Sequence, residues 1–340
     1  MPGTCLMKKK HIPIILIVIP ALVIVALITF AILRVRAWIY TIQPPAEVYS
    51  EKIDAEFGEG SYDVILPLMD ENGFAVKQDV KKILVFGNDP FANIPDSGSS
   101  MAAMLARKTG ADVINCAVSG SYMCQSEAGN VLSDPMDVFT PYYMSVLTLF
   151  PEEVGETFDS AQQMLGSDLP PEFPAIRKAL SELDLSTVDL IVFMYDLTDF
   201  YMDHPLSVGE IEAKEDTTSG NLRLAVNLFE KFLPDTRIIC MSPYYNAFTD
   251  KNGDPESAEL HQTSEGHTPS DFALSMGGAV QIHSTASFID NYFGSINEDN
   301  YEDYLTDGIH LNEAGKELLT DRLVYAIKLF DREETALNTE

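Results

Sequence analysis

Lys82-Ile83-Leu84-Val85-Phe86-Gly87-Asn88-Asp89-Pro90-Phe91-Ala92-Asn93 decides how the rest of this chain is read. Four apolar residues in succession, Ile83 to Phe86, run into Gly87 and then a polar turn that carries Pro90. A short apolar run bounded by such a turn fits a buried parallel strand delivering its first loop. In open α/β sheets ligands and reacting groups sit beyond the carboxyl ends of the strands, so Asn88 and Asp89 fall where chemistry is expected.

Working outward, the same pattern recurs. Ser99 and Ser100 suit the start of a helix reaching about Lys108, with Met101, Met104 and Leu105 on one side and Gly110 as its stop. Further buried strands are predicted over 112–116, 190–195 and 236–241. Helix is predicted over much of 131–187, broken by Pro170, Pro171 and Pro174, and again over 221–232, 281–291 and 313–330. Strands alternating with helices predict α/β crossover units: a three-layer fold, with a parallel sheet covered by helices on both faces.

The amino terminus reads differently. Residues 12–33 contain no charged side chain, follow Lys8, Lys9 and Lys10, and precede Arg34 and Arg36. At about 1.5 Å per residue that run matches a hydrocarbon core of about 30 Å. Arg34-Val35-Arg36-Ala37-Trp38 offers no small-x-small cleavage site, which argues against a removed signal peptide. The expectation is a short cytoplasmic segment over 1–11, one transmembrane helix over 12–33 and an extracytoplasmic remainder, making a single-pass cell-membrane protein. Trp38 and Tyr40 suit the membrane interface, 34–81 reads as a juxtamembrane stalk or peripheral hairpin, and 331–340 as an acidic tail. A net charge of −30 argues against nucleic acid as a partner. Beyond the span, Cys116, Cys124 and Cys240 are odd in number, against a disulfide framework; Cys116 and Cys124 either pair or are buried thiols.

Three strand-end loops and one loop before the last helix stand out: Asn88-Asp89, Ser119-Gly120, Asp196 to Asp199, and Asp307 to His310. In order and spacing they resemble the SGNH (GDSL-type) hydrolase family over about 82–330. Asp307-Gly308-Ile309-His310-Leu311-Asn312-Glu313-Ala314-Gly315 looks very like that family's closing block. The resemblance implies an SGNH-hydrolase, flavodoxin-like fold that uses no cofactor. It casts His310 as general base, Asp307 as the group orienting it, and Gly120 as a backbone donor to an oxyanion. An Asp three residues before a His independently suits such an orienter-and-base pair.

Two positions depart from the family pattern. Asp89 stands where the nucleophilic serine belongs, and a shift of one residue would substitute Pro90. Thr198 stands where the pattern has an asparagine that donates to the oxyanion. A carboxylate attacking an ester would form an anhydride, less stable than the ester itself. Its charge would also sit where an oxyanion must develop, and losing one oxyanion donor alone costs about 10²–10³ in rate. Asp89 near His310 would favour the imidazolium, which cannot act as a base.

Three functions fit these residues. The first is a membrane-anchored, non-catalytic binding or partner protein at the cell envelope. The second is an active esterase or acyltransferase on cell-envelope or extracellular glycans, in which Ser97, Ser99, Ser119 or Ser121 serves as nucleophile with His310 and Asp307. The third is a divalent-cation site drawn from Asp89, Asp196, Asp199, Asp307 and His310. His261 and His267 read as solvated loop residues. The pairs Tyr142-Tyr143 and Tyr244-Tyr245 read either as packing or as a sugar-stacking wall.

Overall fold

Five parallel strands form the central sheet: β1 (Lys82–Gly87), β2 (Asp112–Asn115), β3 (Leu190–Met194), β4 (Arg237–Met241) and β5 (Ser287–Ile289). Their order is β2-β1-β3-β4-β5, so the chain reverses direction across the sheet at β1. In this computed structural model the described residues are 61–69, 75–92, 99–129, 133–207, 213–281 and 285–330. They belong to one unit, Glu47–Glu340.

The apolar runs of the strands supply both faces. Ile83 and Val85 of β1 join Leu190 and Val192 of β3 in one core, which also holds Met101 and Leu105 of α1 (Met101–Thr109). Leu84 and Phe86 join Ile191 and Phe193 in the other, where the rings of Phe86 and Phe193 stack at 5.3 Å. That second core is covered by α2 (Pro141–Leu149), α3 (Pro151–Leu165), α4 (Phe173–Glu182) and α5 (Thr218–Phe232). Next in the chain is α6 (Pro269–Gln281), and α7 (Glu313–Lys328) then closes the first face with Leu319 and Leu323. The caps of α1 follow from sequence: Ser100 Oγ accepts from the Ala103 N–H at 3.2 Å, and Gly110, left-handed at φ 78°, ends the helix. Arg237, buried on β4, donates to the carbonyls of Ala326 and Ile327 and so satisfies the last turn of α7.

Three expectations need revision or completion. The helix predicted over 281–291 is instead the short strand β5, held by pairing with Ile239, Cys240 and Met241. Its outer edge is covered by the segment at residues 61–66: Val64 and Phe288 exchange backbone hydrogen bonds of 2.8 Å. Arg322 of α7, 1% exposed at its side chain, donates to both carboxylate oxygens of Asp63 at 2.9 Å and locks this segment down. Part of the stretch read as a stalk thus lies along the sheet, and Leu68–Met69 pairs with Ala75–Val76 as a small hairpin.

The expected spanning helix is corrected as well. No helix among the described residues is long and apolar enough to cross a membrane. The longest, α7, has 16 residues, about 24 Å at 1.5 Å per residue, and carries Lys316, Glu317, Asp321 and Arg322. Residues 12–33 lie outside the described residues, as do Trp38, Tyr40 and 331–340. The described architecture is therefore α/β without a membrane span. Cys116, Cys124 and Cys240 are buried free thiols, and burial raises each of them well above the usual thiol range.

Candidate active site

The site begins at the last residue of β1. A Cβ on Gly87 would lie 2.0 Å from the carbonyl oxygen of Met194, so only glycine lets β1 and β3 end side by side. That close approach delivers Asn88 next to Asp196. Asn88 is fully buried. Its amide donates to Asp196 Oδ1 at 2.7 Å and to the Ser121 carbonyl at 3.0 Å, while its Oδ1 accepts from the Asp196 N–H at 3.0 Å. One side chain thus ties together the loops after β1, β2 and β3.

Asp89 follows, half-buried, as the first residue of a helical turn. Its carboxylate lies within electrostatic reach of the backbone N–H of Gly120, a residue held left-handed at φ 68°. Burial raises the Asp89 carboxyl above its usual range, and the nearby Asp196 and Glu172 charges add to this. The Gly120 N–H and His310 pull the other way. The structure therefore places the Gly120 N–H and His310 both within electrostatic reach of Asp89.

Thr198 occupies the expected loop, but its donors point elsewhere. Its hydroxyl donates to Asp196 Oδ1 at 2.6 Å and its N–H to the same oxygen at 2.9 Å. Asp199, one residue on, is buried against another loop. It accepts from the N–H groups of Met123 and Cys124 at 2.8 and 2.9 Å and faces His204 Nδ1 at 2.8 Å. The cation site drawn in part from Asp199 is not assembled, and no group of three or more His, Cys, Asp or Glu among the described residues could hold a metal ion.

The loop before α7 builds the remaining pair. Asp307 Oδ1 accepts from the N–H groups of Ile309 and His310 at 3.0 and 2.8 Å, and Oδ2 meets His310 Nδ1 at 2.7 Å. The backbone N–H of His310, then its ring, push the Asp307 carboxyl down to about 2. Both side chains are about half exposed. They open onto a cleft of about 530 Å³ whose lining includes Ser99, Asn312 and Lys316. With Nδ1 turned to Asp307, Nε2 is the ring nitrogen left for a ligand.

Of the serines weighed as nucleophiles, Ser99 alone lines this cleft among the described residues. Ser121 is fully buried with its hydroxyl toward the Gly87 carbonyl at 3.4 Å, the Ser119 N–H donates to Glu172, and Ser97 lies outside the described residues. Tyr244 and Tyr245 are buried and pack in the core. The imidazoles of His261 and His267 sit beside Glu256 and Glu265, at 3.0 and 3.7 Å.

Two residues escaped the sequence reading, Lys316 on the polar face of the last helix and His204, whose pairing with Asp199 leaves no motif. Asn88 was legible only as a polar residue directly after a buried strand.

A 2-1-3-4-5 parallel sheet with these loops at its strand ends is an SGNH hydrolase-like fold. No protein-family model and no curated protein matches the chain. Among solved structures, one matches at 17% identity with a TM-score of 0.50, covering 76% of this chain and 100% of its own. A possible lipase from Chitinophaga pinensis matches at 12% identity over 73% of this chain and 98% of that one, with a TM-score of 0.44. Est24, a carbohydrate acetylesterase from Sinorhizobium meliloti, matches at 11% identity over 73% and 99%, with a TM-score of 0.41. Likeness at such identities is likeness of fold, and function has to be argued from the site.

Proposed function

We propose that this SGNH hydrolase-like domain binds its ligand without hydrolysing it. One observation carries the reading: a carboxylate, that of Asp89, stands within electrostatic reach of the Gly120 backbone N–H, where acyl transfer would need a hydroxyl. Acyl transfer needs free donors aimed at the position of the developing oxyanion. Here a carboxylate already faces the backbone donor, and the Thr198 hydroxyl that could assist is turned to Asp196. No hydroxyl stands at position 89, and attack by its carboxylate would leave an anhydride. The Asp307–His310 pair then serves as a rigid polar wall that presents Nε2 to a ligand. A polyhydroxylated ligand such as a saccharide suits a cleft lined by hydroxyl, amide, carboxylate and imidazole groups.

A second reading has one observation in its favour: Ser99 shares the cleft with His310, so a relocated serine nucleophile is within its vicinity. A fluorophosphonate probe with mass-spectrometric mapping separates the two. Binding without hydrolysis predicts no adduct on any serine of the chain. An adduct on Ser99 that disappears in His310→Ala would replace the first reading with the second.

A further inference from the structure

The chain carries a formal charge of −30, yet a cation lies in the wall of its cleft. Lys316, on the first turns of α7, is only 7% exposed and lines the same cavity as Asp307, His310 and Asn312. Its backbone is satisfied within the helix, N–H to the Asn312 carbonyl at 3.0 Å and carbonyl to the Thr320 hydroxyl at 2.7 Å. Its ammonium has no hydrogen-bond or ion-pair partner among the described residues. Lys108, which packs against the same helix, shows the contrast, since it pairs with Glu317 and Asp321. With its stem buried and its ammonium unpaired at the cleft, Lys316 can take a ligand anion as counterion without giving up a protein partner.

The surroundings specify what kind of ligand. The cleft opens at the amino end of α7, where the aligned peptide dipoles favour negative charge. Asp307 is already committed to His310 and two backbone N–H groups. Glu313 adds a further negative charge at the exposed rim, which penalises a dianion more than a monoanion. From this geometry we infer that the cleft takes a carboxylate-bearing ligand, an acidic saccharide, with Lys316 as its counterion. The inference rests on the reading of the cleft as a binding site and names the chemical class that fills it.

The test is a ligand-observed NMR titration of the full chain at low ionic strength with three probes: glucuronate, glucose and inorganic phosphate. Glucuronate is expected to bind, with glucose weaker by about tenfold or more, the usual worth of a charge-assisted hydrogen bond. Lys316→Met should lose the same factor for glucuronate, and Lys316→Arg should retain most of the binding. Because the ammonium has no structural partner, Lys316→Met should melt at or above the wild-type temperature; a lower melting temperature would assign Lys316 a structural role and overturn the inference. Equal affinity for glucose, unchanged glucuronate binding in Lys316→Met, tighter binding of phosphate, or no binding of any probe would each overturn it too. Ester turnover is read separately, so a chain that hydrolyses esters and still binds glucuronate through Lys316 would refute only the non-hydrolytic reading.

Discussion

A carboxylate at position 89 and a threonine at position 198 are two side chains away from the residues that acyl transfer uses, which makes the proposed absence of hydrolysis testable by reversal. In Asp89→Ser with Thr198→Asn, a hydroxyl replaces the carboxylate that faces the Gly120 N–H, and an amide can donate where the threonine turns away. That double variant is expected to hydrolyse p-nitrophenyl acetate at least about 10²-fold faster than the parent chain, the scale of one oxyanion donor. Adding His310→Ala should abolish the gain. Equal rates in parent and double variant would show that residues 89 and 198 are not what limits the site. A second residue-scale prediction concerns Asp137, which is fully buried and accepts from the Tyr122 hydroxyl and from Ser126. Burial raises its carboxyl to about 6. Because the folded value lies above the unfolded one of about 3.9, its favourable contribution is complete below pH 4 and is lost as pH rises through 6. Melting curves of the parent should therefore fall relative to those of Asp137→Asn between pH 4 and pH 7. Parallel curves would refute the assignment.

At the scale of elements, two junctions hold the site in place. The contact of Gly87 with the Met194 carbonyl fixes the relative ends of β1 and β3. Gly87→Ala forces the strands apart and is expected to lower stability by about 2–3 kcal/mol in urea unfolding, as overpacking does; a loss below about 0.5 kcal/mol would mean the sheet gives way without cost. The other junction is the buried Asp63–Arg322 pair, which fastens residues 61–66 along β5. Arg322→Met leaves Asp63 charged and unpaired, so a loss of about 3–5 kcal/mol is expected. Asp63→Leu with Arg322→Met should recover a large part of it, and failure of the double variant to recover would point to lost packing rather than to the charge. These junctions explain what was legible in the sequence. The runs at Ile83 to Phe86 and Leu190 to Met194 announced strands because both of their faces are buried. Ser287-Phe288-Ile289 is too short to carry a period and becomes a strand only through partners about 50 and 220 residues away.

Across the whole molecule the same division holds. Asp89, Gly120, Thr198, Asp307 and His310 were named from the order of loops at the ends of successive elements, which sequence preserves. Whether their donors meet a substrate or one another was not legible, because that depends on contacts such as Asn88 to Asp196, 108 residues apart. The cation set failed for a local reason: the helical turn Thr198–Tyr201 rotates successive side chains by about 100°, so Asp199 is sent into the loop at Met123 and Cys124 while Thr198 stays with Asp196. The central claim is the proposed one: the Asp307–His310 pair is in place while a carboxylate, Asp89, faces the backbone N–H of Gly120 where a nucleophilic hydroxyl is required. Its most direct test is turnover of short-chain activated esters by the parent chain beside His310→Ala. The account predicts that both release product at the same background rate; turnover by the parent that disappears in the variant would contradict it.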